Sequence, residues 1–340
     1  MAVRIGIVGT GVMGADHART LCGHVPGVVL RAVYDADAAR ARSVAEETGA
    51  ETVAGSPAAL IADSAVDAVL IASPDNTHKE LVLACLAARK PVLCEKPLAP
   101  TPAECLDVIA AEAKLGRQLV RVGYMRRFDP SYVEMKAARL AGQLGKALMF
   151  HCLHRNVSAP PWFDAGMAIT NSAVHEFDIA RWLLDDELAG IQAFVPGTSQ
   201  VAAGSPVFLV LASAAGRLVT IEVFNNAGYG YDVRGELVCE KGTVSLRQPA
   251  VIAANATLAR TIAYPADWRP RFADAYRLQL LAWVRGLETG TAQGADAWDG
   301  YVASAVAEAG VRSLAEGRHL GIELAERPGL YSSSKSPNMS

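Results

Sequence analysis

The stretch Val3-Arg-Ile-Gly-Ile-Val-Gly-Thr-Gly-Val-Met-Gly14 decides the fold. Residues 3–8 form a short apolar run bounded by glycine, which reads as a strand buried on both faces. The run is too short for the apolar core of an export signal. Gly9, Gly11 and Gly14 follow in the spacing G-x-G-x-x-G, and residues 12–22 carry a helical pattern. Strand, glycine turn and helix in that order give the motif its meaning. Gly9 permits a tight turn, Gly11 lets backbone approach a pyrophosphate, and Gly14 lets the helix pack on the strand. The helix start, at Val12 and Met13, offers free N–H groups and a positive dipole end to phosphate.

A second apolar run, residues 28–34, ends at Asp35, 21 positions after Gly14. A carboxylate there accepts hydrogen bonds from ribose hydroxyls and repels a 2′-phosphate, and no basic residue follows until Arg40. NAD is therefore expected rather than NADP. The rhythm continues with apolar runs at 66–72, 91–94 and 119–122, separated by helical patterns at 38–48, 79–88 and 102–115. Alternating βα units of this kind make a doubly wound parallel sheet, a Rossmann fold. Strand ends in such a sheet face the ligand crevice. The run I-A-S-P-D-N-T-H thus sets Ser73, Pro74, Asn76 and His78 along the dinucleotide. His78 has a plainer reading, as the start of the next helix.

After residue 123 the pattern changes. A helix over 130–141 leads to a strand at 147–154, a proline-containing loop at 159–163 and a helix at 171–184. Strand patterns then follow one another at 191–195, 207–211, 218–224, 231–239 and 243–246. Strands without intervening helices predict a mostly antiparallel sheet, so a second domain of α+β type with an open face. Helices are expected at 272–288 and 297–316. The domains read as 1–123 for the cofactor, 124–330 for substrate and self-association, and a polar tail at 331–340.

Composition excludes several classes. Net charge is −3 and no basic run stands out, so nothing attracts nucleic acid or an anionic membrane. The longest later apolar run, 207–215, is far below the ~20 residues of a membrane span. Six scattered cysteines form no C-x-x-C pair, which argues against a disulfide framework or zinc site and for buried thiols in a reducing cytoplasm. No metal is required by any ligand cluster.

Two residues stand out for chemistry. Lys96, in V-L-C-E-K-P-L, sits with Glu95 at the end of the fifth strand, and the following proline restrains its backbone. Its ammonium suits the negative charge that develops on an oxygen during alcohol oxidation. His175, in T-N-S-A-V-H-E-F-D, lies four residues after Asn171; with Asp178 and Trp182 they share one face of a helix. Oxidation needs a base for the hydroxyl proton, and histidine titrates near neutrality. The plainer readings are a surface lysine and a packed histidine.

The motifs G-T-G-V-M-G, E-K-P-L, V-G-Y-M-R-R-F-D, H-C-L-H-R-N, S-A-V-H-E-F-D, Y-G-Y-D and A-W-D-G-Y occur in this order. They resemble those of the glucose-fructose oxidoreductase and inositol dehydrogenase family, in its bacterial myo-inositol 2-dehydrogenase branch, over roughly residues 4–331. The resemblance implies an open-faced sheet domain packed as a homotetramer through its sheets, and a cyclic polyol as substrate. It implies that Lys96 and His175 are catalytic, with Asn171 beside them, and that Met125, Arg126, His154, Asn156, Ser172 and Tyr231 line the polyol pocket with these three. One departure stands out: the branch usually carries aspartate where this chain has Asn171. That leaves open another cyclitol, an aminocyclitol or a sugar as substrate. A non-catalytic NAD-binding sensor is the alternative of another class, against which the presence of both Lys96 and His175 argues.

Overall fold

The computed structural model describes residues 2–197, 204–246, 253–291 and 293–332. The chain divides into two compact units. The first comprises residues up to Met125, Ala275–Ser304 and the chain from Leu324; the second comprises Arg126–Asp274 and Ala305–Glu323. A single division after residue 123 therefore differs from the structure, because two later segments return to the first unit. Packing is the reason. Leu280, Trp283 and Val284 join Ile5, Leu21, Leu30 and Leu70 in one buried cluster. Burial of each such large apolar side chain contributes about 1.5–3 kcal/mol.

In the first unit, β1 (Val3–Val8), β2 (Val28–Tyr34), β3 (Thr52–Val53), β4 (Ala68–Ile71), β5 (Val92–Cys94) and β6 (Val120–Val122) form a sheet. Its order is β3-β2-β1-β4-β5-β6, with every pair parallel. The order reverses between β1 and β4, so a crevice opens beyond their carboxyl ends. Five helices belong with it: α1 (Val12–His24), α2 (Ala38–Thr48), α3 (Pro57–Ala62), α4 (His78–Ala87) and α5 (Pro102–Leu115). Asp37 caps α2, and Thr101 with Glu104 forms a capping box at α5. By contrast α1 has no side-chain cap and no acidic residue in its first turn. Strand β3 and helix α3 are too short for a periodic signal and are absent from the sequence reading.

The second unit begins with α6 (Pro130–Leu140), β7 (Ala147–Arg155) and α7 (Ala165–Met167). A π-helical turn, Ala168–Ser172, then precedes α8 (Val174–Leu184). Next come β8 (Leu188–Phe194), β9 (Val207–Ser213), β10 (Leu218–Phe224), β11 (Asp232–Cys239), β12 (Gly242–Ser245), the hairpin β13 (Ala253–Ala256) and β14 (Ala259–Ile262), and finally β15 (Leu320–Gly321). The large sheet runs β12-β11-β7-β10-β9-β8-β15. It is mostly antiparallel; the pair β7 and β10 is parallel, because β10 returns beside β7 after α8, β8 and β9. In β9, Val207, Leu209 and Leu211 are buried while Phe208 on the other face is exposed. That alternation marks a sheet covered on one face.

Helix α9 (Trp268–Thr289) bends at Phe272 (φ −115°, ψ 16°) and α10 (Ala297–Glu316) follows. Of the tail expected at 331–340, residues 333–340 lie outside those described. Tyr331, in α11 (Gly329–Ser332), is buried, and its hydroxyl donates to the buried Glu112. Five cysteines are buried as expected, but Cys22 on α1 is exposed. Among the described residues no helix is long and apolar enough to cross a membrane.

Candidate active site

The glycine turn at the end of β1 has the geometry its sequence requires. Gly9 has φ +91°, and a Cβ there would lie 2.5 Å from Ser73 N. A Cβ on Gly14 would lie 1.8 Å from Gly9 O, so only glycine lets α1 start this close to the turn. A Cβ on Gly11 would meet nothing within 4 Å, so open space lies against the backbone there. The N–H groups of Val12, Met13 and Gly14 begin α1 without an intrahelical acceptor. Asp35 closes the other end. Its Oδ2 accepts Thr10 N–H at 2.7 Å and its Oδ1 accepts Asp37 N–H at 2.9 Å. Burial opposes its charge, but these hydrogen bonds and Arg40 outweigh it and lower the pKa, keeping the carboxylate ionised. Uncapped N–H groups, open space and a fixed carboxylate fit the phosphates and ribose of NAD.

Beside them, Ser73 Oγ lies 2.6 Å from Thr77 Oγ1, and Pro74 and Asn76 are exposed at the end of β4. His78 is wholly buried, with Nδ1 2.6 Å from Pro97 O and Nε2 2.9 Å from Ser73 O. Both ring nitrogens lie against backbone carbonyls, so His78 ties the loop after β4 to the loop after β5, which fits its plainer reading as a packed residue at the start of α4. Glu95 is likewise turned inward. Its Oε1 lies 2.7 Å from His17 Nε2 on α1, and its Oε2 accepts Lys96 N–H at 3.2 Å. Burial raises its pKa, but His17 and Lys96 more than offset this and the net shift is downward. Glu95 thus anchors the loop that carries Lys96, whose bond to Pro97 is cis. The sequence reading missed His17, since 78 residues separate the partners.

The second unit gathers most of the residues implied for the polyol. Arg126 is 1% exposed and its Nη1 donates to Glu176 Oε1. His154 Nδ1 lies 3.2 Å from Glu176 Oε2. The His154 ring lies 6.3 Å from that of His175 and meets Tyr231 edge-on at 5.8 Å. Burial and Arg126 pull the Glu176 pKa in opposite directions. The Arg126 guanidinium and the hydrogen bonds from Arg126 and His154 prevail, lowering it to about 2. Burial pushes the Tyr231 phenol up to about 12. Asn156 Nδ2 donates to Asn225 Oδ1 at 2.5 Å, and Ser172 Oγ donates to the same oxygen at 3.3 Å. Glu176 and Asn225 are the members the sequence reading missed. Met125, 2% exposed, ends the first unit and opens a short 3₁₀ turn.

Asn171 and His175 do not lie on one regular helix as expected. Asn171 is exposed in the π-helical turn, and His175 is buried in the first turn of α8. His175, Asp178 and Trp182 keep the helical spacing within α8, and only Asn171 falls outside that helix. Asp178 accepts from Arg127 Nε at 2.9 Å, and Trp182 lies under Lys136 Nζ at 4.2 Å. A π-helical turn widens the spacing per turn, so a face counted at 3.6 residues drifts across it.

Comparison with known proteins adds the family. A model of the oxidoreductase family, NAD-binding Rossmann fold, matches residues 3–124. A GFO/IDH/MocA C-terminal domain model matches residues 132–245. Inositol 2-dehydrogenase 1 of Saccharopolyspora erythraea is 54% identical over 335 residues, 97% of this chain and 99% of its own. Inositol 2-dehydrogenase 2 of Paenarthrobacter aurescens is 46% identical over 92% of this chain and 96% of its own. The crystal structure of myo-inositol dehydrogenase from Lactobacillus casei in complex with NAD(H) and myo-inositol has a TM-score of 0.93 at 29% identity, covering 97% of this chain and 100% of that one. With more than half its residues shared with a relative along nearly its whole length, the chain belongs to the GFO/IDH/MocA oxidoreductase family, as an NAD-dependent dehydrogenase acting on a CH–OH group.

Proposed function

We propose that the protein oxidises a secondary ring hydroxyl of a neutral cyclic polyol, with myo-inositol giving 2-keto-myo-inositol (scyllo-inosose) as the first choice. The carrying observation is the charge balance of the second unit. Arg126 pairs with Glu176, Arg127 with Asp178 and Arg271 with Asp129, each pair largely buried. Each of these pairs cancels its own charge and keeps N–H and carboxylate positions that can serve hydroxyls, which suits a neutral ligand. This supports a neutral polyol over a nucleotide sugar. The names of the relatives point the same way.

In this reading NAD, when bound, supplies the acceptor for the hydride that leaves the ring carbon. His175 takes the hydroxyl proton as the carbonyl forms. The Lys96 ammonium stabilises the negative charge on that oxygen. Asn171 orients His175 and the substrate through its amide, without adding charge. Arg126, His154, Asn156, Ser172 and Tyr231 position the remaining hydroxyls, and Met125 adds an apolar contact. Asn171 also favours a second reading, another cyclitol or an aminocyclitol suited to an amide.

The experiment is NADH formation with myo-inositol, other cyclitols and aminocyclitols, with the product identified by mass spectrometry. Lys96→Ala and His175→Ala are each expected to lower kcat by ~10² or more while NAD still binds. Turnover of a different cyclitol alone moves the substrate. NAD binding without turnover of any of them favours a sensor.

We further propose a homotetramer built through the open face of the large sheet. Phe194 and Phe208 pair across β8 and β9 and are 44% and 43% exposed; Leu218, on the same face, is 41% exposed. Phe208→Asp is expected to dissociate it in light scattering. Six free thiols support a reducing, cytoplasmic setting.

A further inference from the structure

Two polar side chains in the second unit, Arg126 and His154, share one carboxylate. Glu176 is wholly buried; Oε1 accepts from Arg126 Nη1, and Oε2 lies 3.2 Å from His154 Nδ1. Arg126 Nη2 lies 3.3 Å from the same His154 Nδ1. The two contacts make opposite demands on that nitrogen. A carboxylate needs a hydrogen on Nδ1, whereas a guanidinium N–H needs a lone pair there.

The surroundings decide between them. Arg126 has further partners: Glu176 Oε1, the Tyr231 hydroxyl, and the face of Phe272 with its Cζ 5.5 Å from the ring centroid. Glu176 Oε2 has His154 as its donor. Stripping a buried carboxylate oxygen of its donor costs more than weakening one of five guanidinium N–H groups. In the neutral ring the proton therefore belongs on Nδ1, and Nε2 keeps the lone pair.

We propose that Glu176 is a positioning residue for the polyol: it holds His154 in the Nδ1–H tautomer, so that Nε2 accepts a hydrogen bond from a substrate hydroxyl, while it cancels the charge of Arg126. The identity of the ligand rests on the polyol reading above; the tautomer does not. Orientation of a ring nitrogen by a carboxylate on the other nitrogen is a general device for fixing histidine. Here it comes from the residue next to His175, so one short segment of α8 places both histidines.

The test uses the full chain labelled with 15N-histidine, with the His154 signals assigned by their loss in His154→Gln. At neutral pH Nδ1 is expected to carry the proton and Nε2 to be unprotonated. Glu176→Gln can turn its amide NH2 toward Nδ1. It is expected to move the proton to Nε2 and raise KM for myo-inositol about tenfold, the value of one hydrogen bond. Its kcat should fall less, and its NAD affinity should stay within about twofold of wild type. Glu176→Asp is expected to keep the tautomer and recover most of KM. A wild-type His154 that carries a proton on Nε2 overturns the proposal, and this needs no variant to fold. A folded Glu176→Gln with wild-type tautomer and wild-type KM also overturns it. Failure of the wild type to oxidise any polyol is a separate result, which sinks the polyol reading while the 15N spectrum still decides the role of Glu176.

Discussion

Replacing Asp35 by serine removes the group that decides between NAD and NADP, and the structure sets the size of the effect. Oδ2 accepts from Thr10 N at 2.7 Å and Thr10 Oγ1 at 3.2 Å, and Oδ1 accepts from Asp37 N at 2.9 Å. A carboxylate has about four acceptor positions, so about one is left for the ribose. A hydrogen bond to a charged acceptor contributes about 1.5–3 kcal/mol. Its loss should lower kcat/KM with NAD by about 10- to 100-fold. With NADP the sign reverses. A phosphate charge about 5 Å from the carboxylate, at an effective dielectric of about 40–60, is repelled by roughly 1–2 kcal/mol. Arg40 Nη1 lies 3.5 Å from Asp35 Oδ1 and is half exposed, so serine releases it as a partially screened phosphate partner. The wild type is expected to prefer NAD by about 100-fold or more, and Asp35→Ser to prefer it by about tenfold or less. Steady-state kinetics with both cofactors measures this, with NADH and NADPH affinities from fluorescence. A serine variant that keeps the wild-type ratio would refute the role given to Asp35.

Asn171→Asp should move the acidic limb of kcat/KM to higher pH by about one unit, because a carboxylate near His175 favours the imidazolium; an unchanged profile means the two are not coupled. Gly14→Ala should abolish NAD binding, since its Cβ would lie 1.8 Å from Gly9 O, and measurable affinity contradicts the close approach. The Glu176 pKa is depressed from 4.5 to about 2, so its contribution is complete above the higher value and is lost as pH falls toward the lower one. Chemical denaturation should register a loss of about 3 kcal/mol across that window, and a flat profile counts against the buried pair. Tyr331→Phe takes a donor from Glu112 and should loosen the C-terminal segment by about 1–3 kcal/mol, read as faster amide exchange at residues 324–332; unchanged exchange there contradicts the anchoring role.

The sequence by itself determined what local chemistry controls. Gly9, Gly11 and Gly14 between a strand and a helix specify the turn, because only glycine tolerates φ +91° and a 1.8 Å approach. Asp35 is legible because a strand end and a fixed spacing from the turn place it. Period-two and period-3.6 patterns marked most strands and helices, since burial of one face acts within a few residues. The roles of Lys96 and His175 came from residue chemistry and from resemblance together.

Tertiary structure decided which groups meet. His17 joins Glu95 across 78 residues, and Glu112 joins Tyr331 across 219. Leu280 and Trp283 return to the sheet of the first unit, and His78 turns both its nitrogens inward. Glu176 looked like one more polar helix residue, and only burial against Arg126 and His154 makes it the centre of a network. These pairings depend on distance in the folded chain and on exclusion of water, which strengthens each charge and hydrogen bond. Neither quantity has a period, a spacing or a composition from which it can be read along the sequence.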